Sequence, residues 1–166
     1  MDSNSNTRNY LISKHTFLLE SKANGKNLIT VVHDKRGKYE IPISPLRLIK
    51  KSCALYGRNY NSSLEESKEL LNLIQRKKLP LVVGNDFGKP LIVFPLFSPS
   101  SKHNIWIVYN NVLSLSTLED EVGVIFQNMD KVLLPVKKNT LIQQMASSLV
   151  LYTLTTRQWD NRQLLF

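Results

Sequence analysis

Ser44-Pro45-Leu46-Arg47-Leu48-Ile49-Lys50-Lys51-Ser52-Cys53-Ala54-Leu55-Tyr56-Gly57 is the stretch from which the fold can be read. The Ser44 hydroxyl can accept from an orphaned N–H of a first helical turn. Pro45 follows at the first helical position, where its fixed φ suits the helix and its missing N–H costs nothing. Leu46, Ile49, Cys53 and Tyr56 recur at helical spacing, and Gly57 supplies the left-handed residue that commonly ends a helix. Arg47, Lys50 and Lys51 fall on the opposite face, and Arg58 stands just beyond the end. This capped, amphipathic helix is flanked by segments of strand-like composition.

On its N-terminal side, Thr16-Phe17-Leu18-Leu19-Glu20 and Leu28-Ile29-Thr30-Val31-Val32 read as strands around an Asn24-Gly25 turn, a strong hairpin signal. A second turn, Asp34-Lys35-Arg36-Gly37, leads into a short strand at 39–41, so the chain opens as a meander. On the other side, a second helix is expected over 63–78. Ser63 and Glu66 suggest a capping box, and Arg76-Lys77-Lys78 complement the dipole at its end. Pro80 marks a return to strands. Leu81-Val82-Val83 and Leu91-Ile92-Val93-Phe94 flank the turn Asn85-Asp86-Phe87-Gly88, and further strands are expected at 104–109, 112–116, 122–126 and 132–134. A last helix is expected to start at Thr140, capped with Gln143, with Leu141, Met145, Leu149 and Tyr152 as its apolar stripe. The fold class is therefore α+β: one domain over 14–158, an antiparallel or mixed β-sheet, and about three helices. A flexible N-terminal tail (1–13, rich in Ser and Asn) and a short C-terminal tail (159–166) complete the expected organisation.

At 166 residues and 42% hydrophobic, the chain suits one domain with a sizeable core. No apolar run approaches the roughly 20 residues needed to span a bilayer. The opening Met1-Asp2-Ser3-Asn4-Ser5-Asn6 lacks the basic start and apolar stretch of a signal peptide. The single cysteine, Cys53, leaves no internal disulfide framework and fits a reducing compartment. The expectation is a cytoplasmic protein with no membrane partner. Its net charge of +9 is uneven: eleven basic residues stand against four acids through Asn61, and eleven against nine afterwards. Clustered cations raise the local potential and draw in polyanions.

Catalytic chemistry is hard to find. His15, His33 and His103 are scattered and have no zinc-ligand spacing. Cys53 lies on the apolar stripe of its helix, the place of a buried thiol rather than a nucleophile. Gly84-Asn85-Asp86-Phe87-Gly88-Lys89 lacks the Gly-Lys-Ser/Thr ending of a phosphate loop and joins two strands, so it reads as a hairpin. Glu119, Asp120 and Glu121 are consecutive and cannot all face one site. No enzyme activity, cofactor or metal is expected.

What remains is a basic constellation. Arg47, Lys50, Lys51 and Arg58 stand beside Asn59, Tyr60 and Asn61, and Lys35, Arg36 and Lys38 form a basic hairpin tip. Arg and Lys neutralise phosphates and displace condensed counterions, while Asn can hydrogen-bond base edges. The expected DNA-binding set is therefore Arg47, Lys50, Lys51, Arg58, Asn59, Asn61, Lys35, Arg36 and Lys38.

Within this region, Pro45-Leu46, Ile49, Ser52-Cys53, Gly57 and Tyr60 resemble a motif of the ComK family, competence transcription factors of Gram-positive bacteria. The likeness continues through Pro80, Phe94-Pro95, Ser98 and Trp106-Ile107, and is strongest over 44–109. It implies a nucleoid-associated activator of DNA-uptake genes that binds paired A/T-rich boxes of double-stranded DNA through the minor groove. It further implies homodimers or higher oligomers, and delivery to a Clp protease by a MecA-type adaptor. The chain departs from the family pattern at several points. Acidic Glu65-Glu66 stands where further basic residues follow the tyrosine, Asn104 and Asn111 replace a cysteine and a histidine, and the end at Leu164-Leu165-Phe166 shortens the adaptor-recognition segment. These departures motivate an alternative: a diverged ComK-like interaction or decoy module that binds protein partners without binding promoters.

Overall fold

The computed structural model describes residues 9–72 and 78–164. The opening meander comprises β1 (Thr16–Asn24), β2 (Asn27–Asp34) and β3 (Gly37–Ile41). Asn24 and Asn27 form the last pair of the first ladder, so the connecting residues are Gly25 and Lys26, one position later than expected. Gly25 takes φ +64°, which a residue without Cβ adopts freely.

Helix α1 (Pro45–Leu55) forms as the sequence indicates, with the Ser44 hydroxyl accepting from Arg47 N–H at 3.4 Å. Helix α2 (Tyr60–Leu71) starts earlier than expected, because the Asn59 side chain accepts from Ser62 N–H at 3.2 Å and caps it there. Ser63 and Ser67 are consequently interior helix residues on a buried face. Asn72 ends the described helix in a left-handed conformation, Lys78 lies in a bend, and residues 73–77 of the expected helix fall outside the described residues.

Strands β4 (Leu81–Asp86), β5 (Lys89–Pro95) and β6 (Ile105–Val108) complete a six-stranded sheet of order β3-β2-β1-β6-β5-β4, antiparallel throughout. Its centre is the long-range β1–β6 ladder, in which Leu18 pairs with Ile107 and Leu19 with Trp106. A separate three-stranded antiparallel sheet is built from β7 (Val112–Ser116), β8 (Gly123–Phe126) and β9 (Lys131–Leu133). The fold is thus α+β with three helices among the described residues, and with two sheets rather than one.

Alternation along the strands separates two cores. Leu19, Val32, Val83, Val93, Trp106 and Val108 pack with Leu48, Ile49 and Cys53 of α1 on one face of the large sheet. Phe17, Leu18, Phe94, Ile105 and Ile107 pack with Val124 and Phe126 of the small sheet, and with Leu141, on the other. Helix α2 packs against β4, and α3 (Lys138–Leu164) packs against β5. Thr140 sits inside the first turn of α3, and Leu141 N–H donates to Lys137 O, so the expected Thr140 cap is absent. The buried line of α3 is Leu141-Gln144-Ser148-Leu151-Thr155, whereas Leu149, expected on the stripe, is 54% exposed. The Gln144 amide donates to Pro95 O at 2.6 Å, which gives this buried polar group a partner on the inward face of the helix.

Two residues of the expected N-terminal tail are packed. Tyr10 and Ile12 belong to the core, and their backbone and hydroxyl groups are tied down. Tyr10 Oη donates to Asp34 at 2.6 Å, Ile12 N–H donates to Ser52 Oγ at 3.2 Å, and Tyr56 Oη donates to Ile12 O at 2.8 Å. Residues 1–8 lie outside the described residues. At the other end, α3 continues through Leu164, and Trp159 packs against the cluster of Val82, Ile92 and Leu151.

Candidate nucleic-acid interface

The N-cap and proline of α1 fix its start, and burial of Leu48, Ile49, Ser52 and Cys53 fixes its rotation. Positions 47, 50, 51 and 54 then share the outer face by three-and-four spacing. Arg47 and Lys50 are exposed there, and Lys51 is half-buried. No acid occurs from Pro45 to Leu64, so the helix carries no carboxylate to cancel this charge. Lys50 Nζ lies 5.3 Å from the Tyr60 ring centroid, a cation–π contact that leans the lysine toward the start of α2. Burial pushes the Tyr60 hydroxyl above its ordinary pKa, keeping the ring neutral beneath that ammonium.

The α1–α2 junction uses its cation differently. Arg58 Nε donates to Ser63 Oγ at 3.1 Å, and Nη2 donates to Glu66 Oε2 at 3.2 Å. Arg58 and Glu66 are both largely covered, so Arg58 is spent on the helix junction. The Asn59 carbonyl is occupied as the α2 cap. Asn61 remains exposed in the first turn. Cys53 lies beneath this junction, where burial raises its thiol pKa to about 11 against a smaller lowering by Arg58.

The β2–β3 hairpin exposes Lys35, Arg36 and Lys38, with Arg36 held against Asp34. Arg36 Nε donates to buried Asp34 at 3.0 Å, and its backbone N–H donates to the same oxygen at 3.0 Å. Burial alone would raise the Asp34 pKa, but hydrogen bonds from Arg36 and Tyr10 prevail and hold it below the ordinary carboxylate value. Next to it, burial and Lys38 lower the His33 pKa despite Glu20 3.4 Å away. Phe17, Phe126, Asp130 and Val132 border the hollow at this hairpin. Phe17 and Phe126 belong to the core on the far side of the sheet from α1, so the hairpin tip and the α1 face are distinct cationic patches.

Charge periodicity missed a third group. Lys14 Nζ lies 5.3 Å from the ring of Phe87, at the tip of the β4–β5 hairpin. The visible signal was an aromatic residue in a turn position that usually holds Asn or Gly. Asn104 and Asn111, the two replaced positions, are buried and structural. Asn104 accepts from Phe97 N–H at 3.1 Å and donates to Ser98 O at 2.8 Å, while Asn111 donates to Thr16 O at 2.6 Å.

Among the described residues no cluster of His, Cys, Asp and Glu could hold a metal ion, and no helix is long and apolar enough to cross a membrane. The family model for ComK protein matches residues 7–160, which contain both sheets, α1, α2 and most of α3. The chain belongs to the ComK family. At family level it is a competence-related transcription factor, a class defined by regulation rather than catalysis. No curated protein and no solved structure matches the chain. The ComK match spans the acidic replacement at Glu65-Glu66, where Glu66 serves as the partner of Arg58.

Proposed function

We propose that this ComK-family chain is a DNA-binding activator of competence (DNA-uptake) genes that reads A/T-rich boxes of duplex DNA through the minor groove. The observation that carries the reading is the outward pair Arg47 and Lys50 on α1, a helix with no acid on it. A/T tracts have a narrow minor groove with enhanced negative potential, which favours inserted arginine and lysine. Lys51 and Asn61 extend this patch, and Lys35 and Lys38 supply a second one for an adjacent stretch of backbone. Arg58, Asn59 and Arg36 act by holding the local geometry. A homodimer or higher oligomer would place two such faces on paired boxes.

Gel-shift titration on A/T-rich and G/C-rich duplexes over a salt series tests the reading. Affinity should favour A/T-rich DNA and fall with salt by about 0.9 log unit per log unit for each phosphate contacted. Arg47→Ala or Lys50→Ala should weaken binding to all sequences and reduce that slope by about 0.9. Melting temperature should stay within about 2 °C for exposed Arg47, and nearly so for Lys50, which gives up only its cation–π contact with the Tyr60 ring. No binding at low salt refutes the proposal.

A second reading, an interaction or decoy module, is favoured by one observation. Ile142, Leu149 and Val150 are exposed along α3 and fit a protein partner such as a MecA-type adaptor of a Clp protease. Association with purified adaptor, in a chain that retains no DNA at low salt, would select it.

A further inference from the structure

We propose that Phe87, at the tip of the β4–β5 hairpin, is a wedge that enters between stacked base pairs of the duplex bound by α1. The inference rests on the DNA-binding reading above and adds to it the residue that deforms the duplex.

Phe87 is 92% exposed, more than any other large hydrophobic side chain among the described residues. Its backbone is strained as well. Phe87 and Gly88 take φ +50° and +84° in a two-residue connection between Asp86 and Lys89, the pattern of a type I′ turn. Asn-Gly fits that turn; a bulky ring at its first position is an outlier whose Cβ is crowded by the backbone. Neither burial nor a hydrogen bond of its side chain compensates for this placement. A strained residue that contributes nothing to the core is a reason to look for function at that spot.

The hairpin is a stiff mount. The side-chain oxygen of Asn85 accepts from Gly88 N–H at 2.6 Å and fixes the loop. Leu81, Val82 and Val83, with Pro90 through Pro95, anchor the strands in the core. Its location is equally specific. Gly84, three residues before the tip, lies against Tyr56 at the end of α1, and the Tyr56 hydroxyl holds Ile12. Two residues along that segment, Lys14 places its ammonium over the Phe87 ring. Leu55 is 60% exposed on the last turn of α1, one turn beyond Lys51. The apolar tip, flanked by Lys14 and with Lys89 opposite Asp86 at its base, is thus tied through Gly84 and Tyr56 to the C-terminal end of the cationic helix.

These features select nucleic acid as the occupant. A single exposed ring beneath the Lys14 ammonium suits a polyanion whose interior is stacked π-surface. Wedges of Phe, Leu, Ile, Met or Pro unstack base steps from the minor groove, and the pyrimidine–purine steps of A/T-rich DNA kink most easily. Phosphates drawn to Arg47, Lys50 and Lys51 would bring the duplex down the helix axis to the hairpin.

The test places 2-aminopurine, whose fluorescence rises on unstacking, at a T–A step of an A/T-rich duplex, and measures bending by end-to-end energy transfer. Full-length chain is compared with Phe87→Asn and Phe87→Trp. Asn-Gly is the preferred type I′ pair, so Phe87→Asn should fold at least as well as the wild type. The wild type and Phe87→Trp should raise the fluorescence several-fold and shorten the end-to-end distance. Phe87→Asn should do neither, and should bind about tenfold more weakly with its salt slope retained. Wild-type binding with an unchanged 2-aminopurine signal overturns the wedge while leaving the DNA-binding reading intact, as does an equal rise with Phe87→Asn. Failure of the wild type to bind any duplex at low salt overturns both.

Discussion

Gly84→Ala probes the junction on which the α1 face and the β4–β5 hairpin both depend. Gly84 sits at an irregularity of the β4–β5 ladder, and its φ is not in the left-handed region, so space alone demands glycine there. A methyl group would meet Tyr56 Cγ at 2.3 Å, Cδ1 at 2.6 Å and Cβ at 2.7 Å. These atoms are the root and near edge of the side chain, so a rotation of the far end cannot relieve the clash. Overpacking of this kind costs about 1–3 kcal/mol. Displacing the ring also breaks the 2.8 Å hydrogen bond from its hydroxyl to Ile12 O. With about 1 kcal/mol for that bond, the total is about 2–4 kcal/mol, or about 4–16 °C in melting temperature for a domain of this size. Urea unfolding of Gly84→Ala, Tyr56→Ala and the double variant measures it. In the Tyr56→Ala background the added methyl should be neutral, or stabilising by about 0.4–1 kcal/mol through the unfolded chain. Equal cost in both backgrounds, or a cost below about 0.5 kcal/mol in the wild type, would refute the steric argument.

Arg58→Ala should destabilise the chain by about 1–3 kcal/mol, because it strands the largely covered Glu66 carboxylate and the Ser63 hydroxyl; thermal unfolding beside Arg47→Ala checks this, and equal stability of the two variants would return Arg58 to the DNA-contact set. The depressed pKa of Asp34 makes stability pH-dependent with a definite sign. Its contribution is complete above the unfolded value of 3.8 and is lost as pH falls through the lower folded value. Asp34→Asn should therefore be less stable than the wild type at pH 7 and show a flatter decline below pH 4, measured by unfolding at stepped pH; parallel curves would contradict the assigned hydrogen bonds.

Local signals carried most of the helices and hairpins. Ser44-Pro45 and Gly57 bounded α1 because capping and positive φ are decided within a few residues. The start of α2 was misplaced because Asn59 and Ser63 are both good caps, and the choice fell to Asn59 once Ser63 turned inward beside Arg58. The stripe of α3 misled for a similar reason: hydropathy chose Leu149, whereas the buried Gln144 amide has a partner at the end of β5. At the candidate interface, residue type alone could mark Arg58 and Arg36 as cations but could not show that Glu66 and Asp34 hold them.

The sequence by itself determined the α+β class, the order of elements, the acid-free helix with its row of cations, and the likeness to ComK, since all of these depend on residue type and short-range spacing. Tertiary structure alone decided the β1–β6 ladder that joins the two halves, the separation of the second sheet, the inward docking of Tyr10 and Ile12, and which cations stay exposed. Those outcomes depend on partners far away along the chain. A side chain's neighbours across a sheet or between layers are set by packing the whole core at once, which no local pattern records.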